Sequence, residues 1–169
     1  MSVHPELQER ASEYAKLCKI ELILKTPLGF GHDGTVWKSN RRTAVKALLR
    51  EDNYRNELRC YQRFSDEKVT NIYGFAVPQL IGHDDALKII EMKIVTPPYI
   101  LDFAKVWIDA TPDYPPETWQ EYYSSLQERF GERTGEVRKL LSALQFHYSI
   151  WYADPKPGNI QFEIESDPE

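Results

Sequence analysis

Apolar residues recur at helical spacing in four segments of the chain. The first two segments cover residues 5–18 and 51–64, and the others run from Trp119 to Phe130 and from Val137 to Tyr148. An apolar side chain at every third or fourth position forms one stripe along a helix. We therefore predict four amphipathic helices, with Thr134 as the N-cap of the last one.

Between the first two helices, and after the second, the pattern is that of strands. KIELILK (19–25) predicts a strand, and TAVKALL predicts another after a glycine-rich turn. Residues 75–95 predict two strands joined by the turn GHDD. We expect an α+β fold with an N-terminal helix over 1–18, a β-rich lobe with a five-stranded sheet and one key helix over 19–100, and a mostly helical lobe over 101–169.

Composition narrows the classes of function. The chain has 169 residues, of which 41% are hydrophobic and 28% are charged, and this is typical of a globular protein. A net charge of −5 argues against a nucleic-acid or membrane partner. Cys18 and Cys60 lack metal-ligand spacing, so we interpret them as reduced structural residues. No apolar run has the length of a signal peptide or a membrane span, and we expect a cytoplasmic protein. The residues do not indicate an oligomeric state.

A glycine-rich segment fits the pattern G-x-G-x-x-G-x-V, with Gly29, Gly31, Gly34 and Val36 at the fixed positions. Glycines at these places let backbone N–H groups approach phosphates closely. In dinucleotide-binding folds the glycines open a helix, whereas a hairpin pattern follows here. The alternative is a hairpin turn in which the glycines serve geometry alone.

Two charged residues fall on predicted apolar faces. Lys46 shares a strand face with Ala44 and Leu48, because alternate residues point the same way. Glu57 lies within the apolar stripe of the second helix, where an unpaired carboxylate would cost several kcal/mol. We predict an ion pair between Lys46 and Glu57. Exposure of Lys46 at a sheet edge, or of Glu57 at a helix edge, is the alternative.

The segment DPKPGN carries Asp154, Lys156 and Asn159 in a loop stiffened by prolines. An aspartate can accept a hydroxyl proton, a lysine can neutralise phosphoryl charge, and an asparagine can hold Mg²⁺ through its amide oxygen. A plain surface turn would have the same composition.

Taken in order, these segments resemble the protein kinase-like fold over roughly residues 24–162. The likeness rests on LGFGHDGTVW, TAVK, YRNELRCYQRF, LKIIEMKIV and YADPKPGN. The chain is also similar to small bacterial kinase-like proteins that share LDFA and a terminal D-x-x-P-G-N-I.

This resemblance implies an ATP site between two lobes. Val36, Ala44 and a residue from the helical lobe would sandwich the adenine, and Ile90 would guard the back of the pocket. The backbone of Glu91 and Lys93 would hydrogen-bond the base, and Gly31 to Gly34 would cover the phosphates.

For catalysis, the resemblance implies Asp154 as base and Lys156 on the γ-phosphate, with Lys46 and Glu57 anchoring the nucleotide. Asn159 would hold Mg²⁺. No Asp-Phe-Gly occurs, and Asp167 is the only aspartate after Asn159, so Asp167 is the candidate for the second metal ligand.

Other departures leave two functional hypotheses open, beside a purely structural interpretation in which the fold binds nothing. Tyr152 and Ala153 replace the His-Arg of the catalytic loop, and Glu163 and Glu165 are alternative acidic groups. The chain ends ten residues past Asn159, so the helical lobe would be truncated. The first hypothesis is a minimal phosphotransferase that acts on a small molecule or a protein. The second is a pseudokinase-like module that binds a nucleotide or a partner without turnover.

Overall fold

The computed structural model describes residues 4–163, and the predicted α+β class is confirmed. Within this range the helices are α1 (Pro5–Cys18), α2 (Glu51–Asp66), α3 (Pro116–Phe130) and α4 (Thr134–Tyr148). The strands are β1 (Gly29–Phe30), β2 (Gly34–Lys38), β3 (Thr43–Leu48), β4 (Asn71–Ile72), β5 (Phe75–Ala76), β6 (Leu80–Asp84), β7 (Ile89–Lys93), β8 (Tyr99–Ile100), β9 (Val106–Ile108), β10 (Ile150–Tyr152) and β11 (Ile160–Gln161). None of the helices in the described range is long and apolar enough to cross a membrane.

The largest sheet in residues 4–163 has five strands in the order β1-β2-β3-β7-β6, all antiparallel. Its two faces belong to different cores. Val45 and Ala47 of β3 pack in the cluster formed with α1. Ala44 and Leu48 pack in the larger cluster formed with α2 and the rest of the chain. Alternation along β3 therefore turns Lys46 toward α2.

Helix α1 is fastened to the sheet by polar contacts as well as by its apolar stripe. Arg10 donates to the carbonyl oxygens of Leu48 and Leu87, at 2.9 and 3.0 Å. The Tyr14 hydroxyl donates to the buried carboxylate of Glu91 at 2.9 Å. The helix therefore covers one face of the sheet and leaves the other face for α2.

The second half of the described chain joins α2 through short strands and aromatic packing. One small sheet has the order β11-β8-β5-β4, and a two-stranded sheet pairs β10 with β9. Phe103, between β8 and β9, is fully buried and makes edge contacts with Tyr61, Phe64 and Tyr152. These contacts hold α2 against the segment that links β8 to β9.

The predicted strand over residues 19–25 is wrong. Lys19 takes a left-handed conformation with φ 53° and ends α1, and a single bridge from Leu22 to Ser39 follows. Leu22 and Leu24 pack against the α1 cluster. Their alternation therefore reflects burial against a helix rather than membership of a sheet.

The predicted GHDD turn is also displaced. Gly82 and His83 lie inside β6, and the turn falls at residues 85–88, where Asp84 accepts a bond from the Leu87 N–H at 2.9 Å. A Cβ at Gly82 would lie 2.9 Å from the Tyr14 hydroxyl oxygen, so this glycine serves close packing on α1.

Thr134 does not act as the predicted N-cap. It is the first residue of α4, and its hydroxyl donates to the Gly131 carbonyl at 2.6 Å instead of accepting from a helical N–H. A short 3-10 turn over Gly131–Arg133 joins α3 to α4. This turn extends the helical backbone upstream of Thr134.

Candidate active site

The Lys46 ammonium lies between two carboxylates in a buried position. Its Nζ is 2.9 and 2.7 Å from the two carboxylate oxygens of Glu57, on α2, and 3.0 Å from Oδ1 of Asp102. Lys46 is 8% exposed and Glu57 is 1% exposed, so solvent does not separate these charges. The predicted Lys46–Glu57 pair is present in the structure, and Asp102 is a third member that the sequence did not indicate.

The charges of this triad depend on one another. Burial alone lowers the pKa of Lys46, but the charges of Glu57 and Asp102 outweigh burial and raise it. Burial raises the pKa of Glu57, and Lys46 opposes that effect. Burial also raises the pKa of Asp102, but the charge and hydrogen bond of Lys46, with smaller contributions from the Lys156 charge and the Ala104 backbone, together outweigh burial and the net shift is downward. The net effect raises the pKa of both Lys46 and Glu57 and lowers that of Asp102, so the two acidic groups favour the charged form of the lysine.

Asp102 reaches this position through two strand pairings. It follows β8, which pairs with β11, and it precedes β9, which pairs with β10. The segment DPKPGN connects β10 to β11, so the loop at Asp102 and the loop at Asp154 lie side by side. The Leu101 N–H donates to the Asn159 carbonyl at 2.8 Å, which fixes the contact between the two loops.

The loop that carries Asp154 is ordered by cations and by its own backbone. Lys156 lies 3.1 Å from one carboxylate oxygen of Asp154, and Arg129 lies 3.4 Å from the other. Arg129 also donates to the Pro155 carbonyl at 2.7 Å. The Asn159 amide nitrogen lies 3.4 Å from the Asp154 carbonyl oxygen. The Asn159 side chain is buried and also bonds Tyr152, and its amide oxygen is the atom with the chemistry to coordinate a cation.

Within the glycine-rich hairpin of β1 and β2, the three glycines have different reasons to be present. A Cβ at Gly34 would lie 2.3 Å from the Ala47 carbonyl oxygen, so the fold itself requires glycine there. A Cβ at Gly29 or Gly31 would meet no atom within 4 Å. The fold therefore gives no steric reason for these two glycines, while close approach of a ligand to the backbone would give one.

The residues implied for adenine binding separate into two groups. Ala44 is buried in the large cluster with Ile90, and Val36 packs against that cluster. Met92 is the direct cross-strand partner of Ala44. Ala44, Val36 and Met92 therefore lie together on the face of the sheet that turns toward α2.

The backbone of Glu91 and Lys93, which the resemblance assigns to the base, is paired within the sheet. Both belong to β7, between β3 and β6, and the Lys93 N–H donates to the Gln79 carbonyl at 2.8 Å. The Glu91 side chain points to the α1 face, where it binds Tyr14 and Thr43. The chain leaves the strand after Lys93, so residues 94–96 are the backbone that lies beyond the ladder.

Sequence reasoning missed Asp102, Arg129 and Met92. The triplet Asp102-Phe103-Ala104 differs from Asp-Phe-Gly only in its last residue, and this was the available signal. In protein kinases that motif follows the catalytic loop, and this order favours acidic residues after Asn159 as metal ligands. Asp167, the candidate predicted on that ground, lies outside the described residues.

The side chains of Asp102 and Asn159 suit a hard cation that takes its remaining ligands from a substrate or from water. Among residues 4–163, no three His, Cys, Asp or Glu side chains group as metal ligands. Asp102 offers a carboxylate and Asn159 an amide oxygen, from two loops in direct contact. Magnesium is commonly held by one or two such protein oxygens together with phosphates and water.

No protein-family model matches the chain, and no curated protein matches it. Among solved structures, a complex of streptomycin, ATP and APH(2″)-IIa is similar over 85% of this chain, with 15% identity and a TM-score of 0.41. The ADP-bound aminoglycoside phosphotransferase APH(2″)-Ib is similar over 82%, with 16% identity and a TM-score of 0.43. The chain spans 42% and 39% of the length of these two proteins.

The class of the fold follows from the geometry of this chain. A glycine-rich hairpin, a strand lysine and a helix glutamate in contact with it are the parts of a protein kinase N-terminal lobe. The five-stranded sheet and α2 bring those parts together here. The predicted kinase-like fold is confirmed at this level.

Proposed function

We propose that this protein binds ATP with Mg²⁺ in the cleft between the glycine-rich hairpin and the DPKPGN loop, and that it transfers the γ-phosphoryl group to an acceptor. The observation that carries the proposal is the position of Lys46. Its buried ammonium contacts Glu57 and Asp102, and Asp102 adjoins the loop of Asp154 and Asn159. A buried cation with a carboxylate on each side is suited to orienting phosphates beside a metal.

Each charged side chain has a role in this proposal. Lys46, oriented by Glu57, binds phosphate oxygens, and the backbone of the glycine-rich hairpin covers them. Asp102 and Asn159 hold Mg²⁺, which when bound neutralises charge on the phosphates. Asp154 orients the acceptor hydroxyl and takes its proton, and Lys156 stabilises the transferred group.

The proposed metal ligands follow an order along the chain that differs from that of protein kinases. In those enzymes the acidic motif comes after the catalytic loop. Here Asp102 comes before the loop, and the pairings β8–β11 and β9–β10 support its placement beside Asn159. We infer a permuted arrangement in which Asp102, and not Asp167, completes the metal site.

The second candidate function is a binding module without turnover. One observation favours it: both carboxylate oxygens of Asp154 face cations, Lys156 and Arg129. An acceptor hydroxyl would have to displace one of them.

Calorimetric titration of ATP with and without Mg²⁺ tests the proposal. We expect the parent to bind ATP more tightly with Mg²⁺. Asp102→Asn should remove the effect of Mg²⁺, whereas Asp167→Asn and the exposed control Asp113→Asn should retain it. Loss of the Mg²⁺ effect in Asp167→Asn with retention in Asp102→Asn would reverse the assignment. Absence of ATP binding by the parent would refute the proposed function.

Turnover is tested separately with Asp154→Asn. This variant should bind ATP as the parent does and should lose ATP hydrolysis or transfer by about a hundredfold or more, the scale of a lost general base. A parent that binds ATP·Mg²⁺ but shows no hydrolysis or transfer to any acceptor in a panel would favour the binding module.

A further inference from the structure

We propose that Lys105 is a positioning residue that closes the glycine-rich hairpin over the cleft through its ion pair with Asp33. The Lys105 Nζ lies 2.9 Å from Oδ2 of Asp33, which stands in the loop between β1 and β2. Neither residue belongs to the lysine, carboxylate and amide groups assigned to the nucleotide above. We call this contact the Asp33–Lys105 bridge.

Asp33 is the point at which the hairpin is fastened to its surroundings. Its backbone carbonyl accepts a bond from the Leu49 N–H at 3.0 Å, and its Oδ1 accepts one from the Asn53 amide at 2.8 Å. Asn53 is a buried residue of α2, one turn before Glu57. These two bonds tie Asp33 to its own side of the cleft.

The contact with Lys105 joins Asp33 to the opposite side of the proposed cleft, the segment between β8 and β9. Lys105 follows Asp102-Phe103-Ala104, and its carbonyl oxygen lies 3.4 Å from the Ala153 nitrogen at the start of the DPKPGN loop. The carbonyls of the adjoining residues, Ala104 and Val106, lie 3.4 and 3.3 Å from the Asn56 amide nitrogen of α2. The Lys105 backbone is thus held firmly while its side chain reaches the hairpin.

The electrostatic setting favours a charged lysine at this place. The hydrogen bond to Asp33 is the largest cause that raises the pKa of Lys105, and the charges of Asp154 and Asp102 act in the same direction. The Lys105 side chain is 53% exposed and that of Asp33 is 23% exposed. An exposed pair of this kind is weak and is screened by salt, so it can open and close without a large energetic cost.

The bridge gives a role to Asp33 and Lys105, two charged residues that take no part in the proposed chemistry. Asp33 and Gly34 directly precede Thr35 in the glycine-rich pattern, and only the glycine is required by contact with β3. Asp33 supplies a charge that the hairpin geometry does not need. A cation placed opposite it, on the segment that carries Asp102, gives that charge a function.

Hydrogen exchange of the hairpin amides, measured without any nucleotide, tests the bridge directly. We expect Lys105→Met to speed exchange of residues 29–35 by about two- to fivefold, the effect of losing one exposed ion pair. Asp33→Asn keeps an oxygen for Asn53 but loses the charge, so it should give a similar increase. The double variant should show no more than either single variant, because both remove the same contact.

Two controls separate the bridge from general destabilisation. Lys105→Arg should restore the parent exchange rate, and the exposed Lys139→Met should not alter it. Raising the salt concentration to about 1 M should speed exchange in the parent but not in Lys105→Met. Equal exchange in the parent and Lys105→Met, or additive effects in the double variant, would overturn the proposal.

The consequence for nucleotide retention rests on the proposed function. In stopped-flow displacement we expect ATP to dissociate about two- to fivefold faster from Lys105→Met, with the rate of transfer from the bound state unchanged. An unchanged dissociation rate would refute this consequence. If the parent binds no ATP, the proposed function fails, while the exchange experiment still decides whether the bridge exists.

Discussion

Oδ1 of Asp102 lies 3.0 Å from Nζ of Lys46, although the two residues are far apart in the chain and only Lys46 belongs to a strand. This contact joins the β3 lysine to the loop between β8 and β9. Through the bond from Leu101 to Asn159, it also joins that lysine to the DPKPGN loop. One ion pair therefore connects three segments of the proposed active site.

Removal of Lys46 should cost more stability than removal of Glu57. Lys46→Met leaves two carboxylates facing each other without a cation, and we expect a loss of about 3–5 kcal/mol, the range for a broken buried pair. Glu57→Gln leaves Lys46 paired with Asp102, so the expected loss is about 1–3 kcal/mol. Urea unfolding of both variants measures the difference. Equal losses would show that Asp102 does not share the lysine charge.

Gly34 and Gly31 of the hairpin should differ in how much stability is lost when each is replaced by alanine. Gly34→Ala forces a Cβ to within 2.3 Å of the Ala47 carbonyl oxygen, and we expect a loss of about 1–3 kcal/mol. Gly31→Ala meets no atom within 4 Å and should change stability by less than about 0.5 kcal/mol.

If the hairpin covers phosphates, Gly31→Ala should nevertheless weaken ATP binding, by about tenfold for a loss of about 1.4 kcal/mol. Thermal unfolding and calorimetric titration give the two quantities for each variant. Unchanged affinity in Gly31→Ala would mean that the loop backbone does not approach the ligand at this residue.

The ion pair of Lys46 and Glu57 could be predicted because both signals are local. A strand alternates its faces every residue and a helix repeats every 3.6, so a charged side chain within an apolar pattern is visible from its neighbours. Lys46 and Glu57 each interrupt such a pattern. The cost of an unpaired buried charge then favours the pairing of one with the other.

Asp102 could not be placed by the same reasoning. Strands β8 to β11 contain two or three residues each within the described chain, which is too short for a period to appear. Which of them pair is a matter of contacts between distant segments. The order of motifs in kinases favours an acidic residue after the catalytic loop, whereas the pairing of β8 with β11 and of β9 with β10 brings Asp102 beside that loop from an earlier position in the chain.

Acid should reduce the stabilising contribution of Asp102. Lys46 holds the pKa of the Asp102 carboxyl below its ordinary value of about 3.9, in spite of burial. Between the folded and unfolded pKa values the unfolded chain binds more protons, so the free energy of unfolding rises with pH in that range. The contribution is complete above about pH 4 and falls away as the pH drops through the folded pKa.

Asp102→Asn should therefore be less stable than the parent at pH 6, by about 1–2 kcal/mol for a lost charged hydrogen bond. The difference should shrink below pH 4. Urea unfolding at several pH values measures it, with Asp113→Asn as the matched exposed control. A difference that stays constant down to pH 3 would contradict the charge on Asp102.

Two arginines on one face of α2 offer a matched test of how that helix is held. Both Arg59 and Arg63 lie 2.8 Å from the same oxygen of Asp109, but Arg63 also donates to the Tyr148 carbonyl at 2.6 Å. The Arg63 side chain is 23% exposed and that of Arg59 is 51% exposed. The bond to Tyr148 is the contact that links α2 to the end of α4.

We expect Arg63→Gln to lower the free energy of unfolding by about 1–2 kcal/mol, because a carbonyl and a carboxylate both lose a charged partner. Arg59→Gln should cost less than about 0.5 kcal/mol, since it removes only an exposed ion pair. Denaturant unfolding measures both. Because Glu57 lies on the same helix, Arg63→Gln should also weaken ATP binding where Arg59→Gln does not. Similar affinities in the two variants would show that Lys46 and Glu57 keep their contact without the link from α2 to α4.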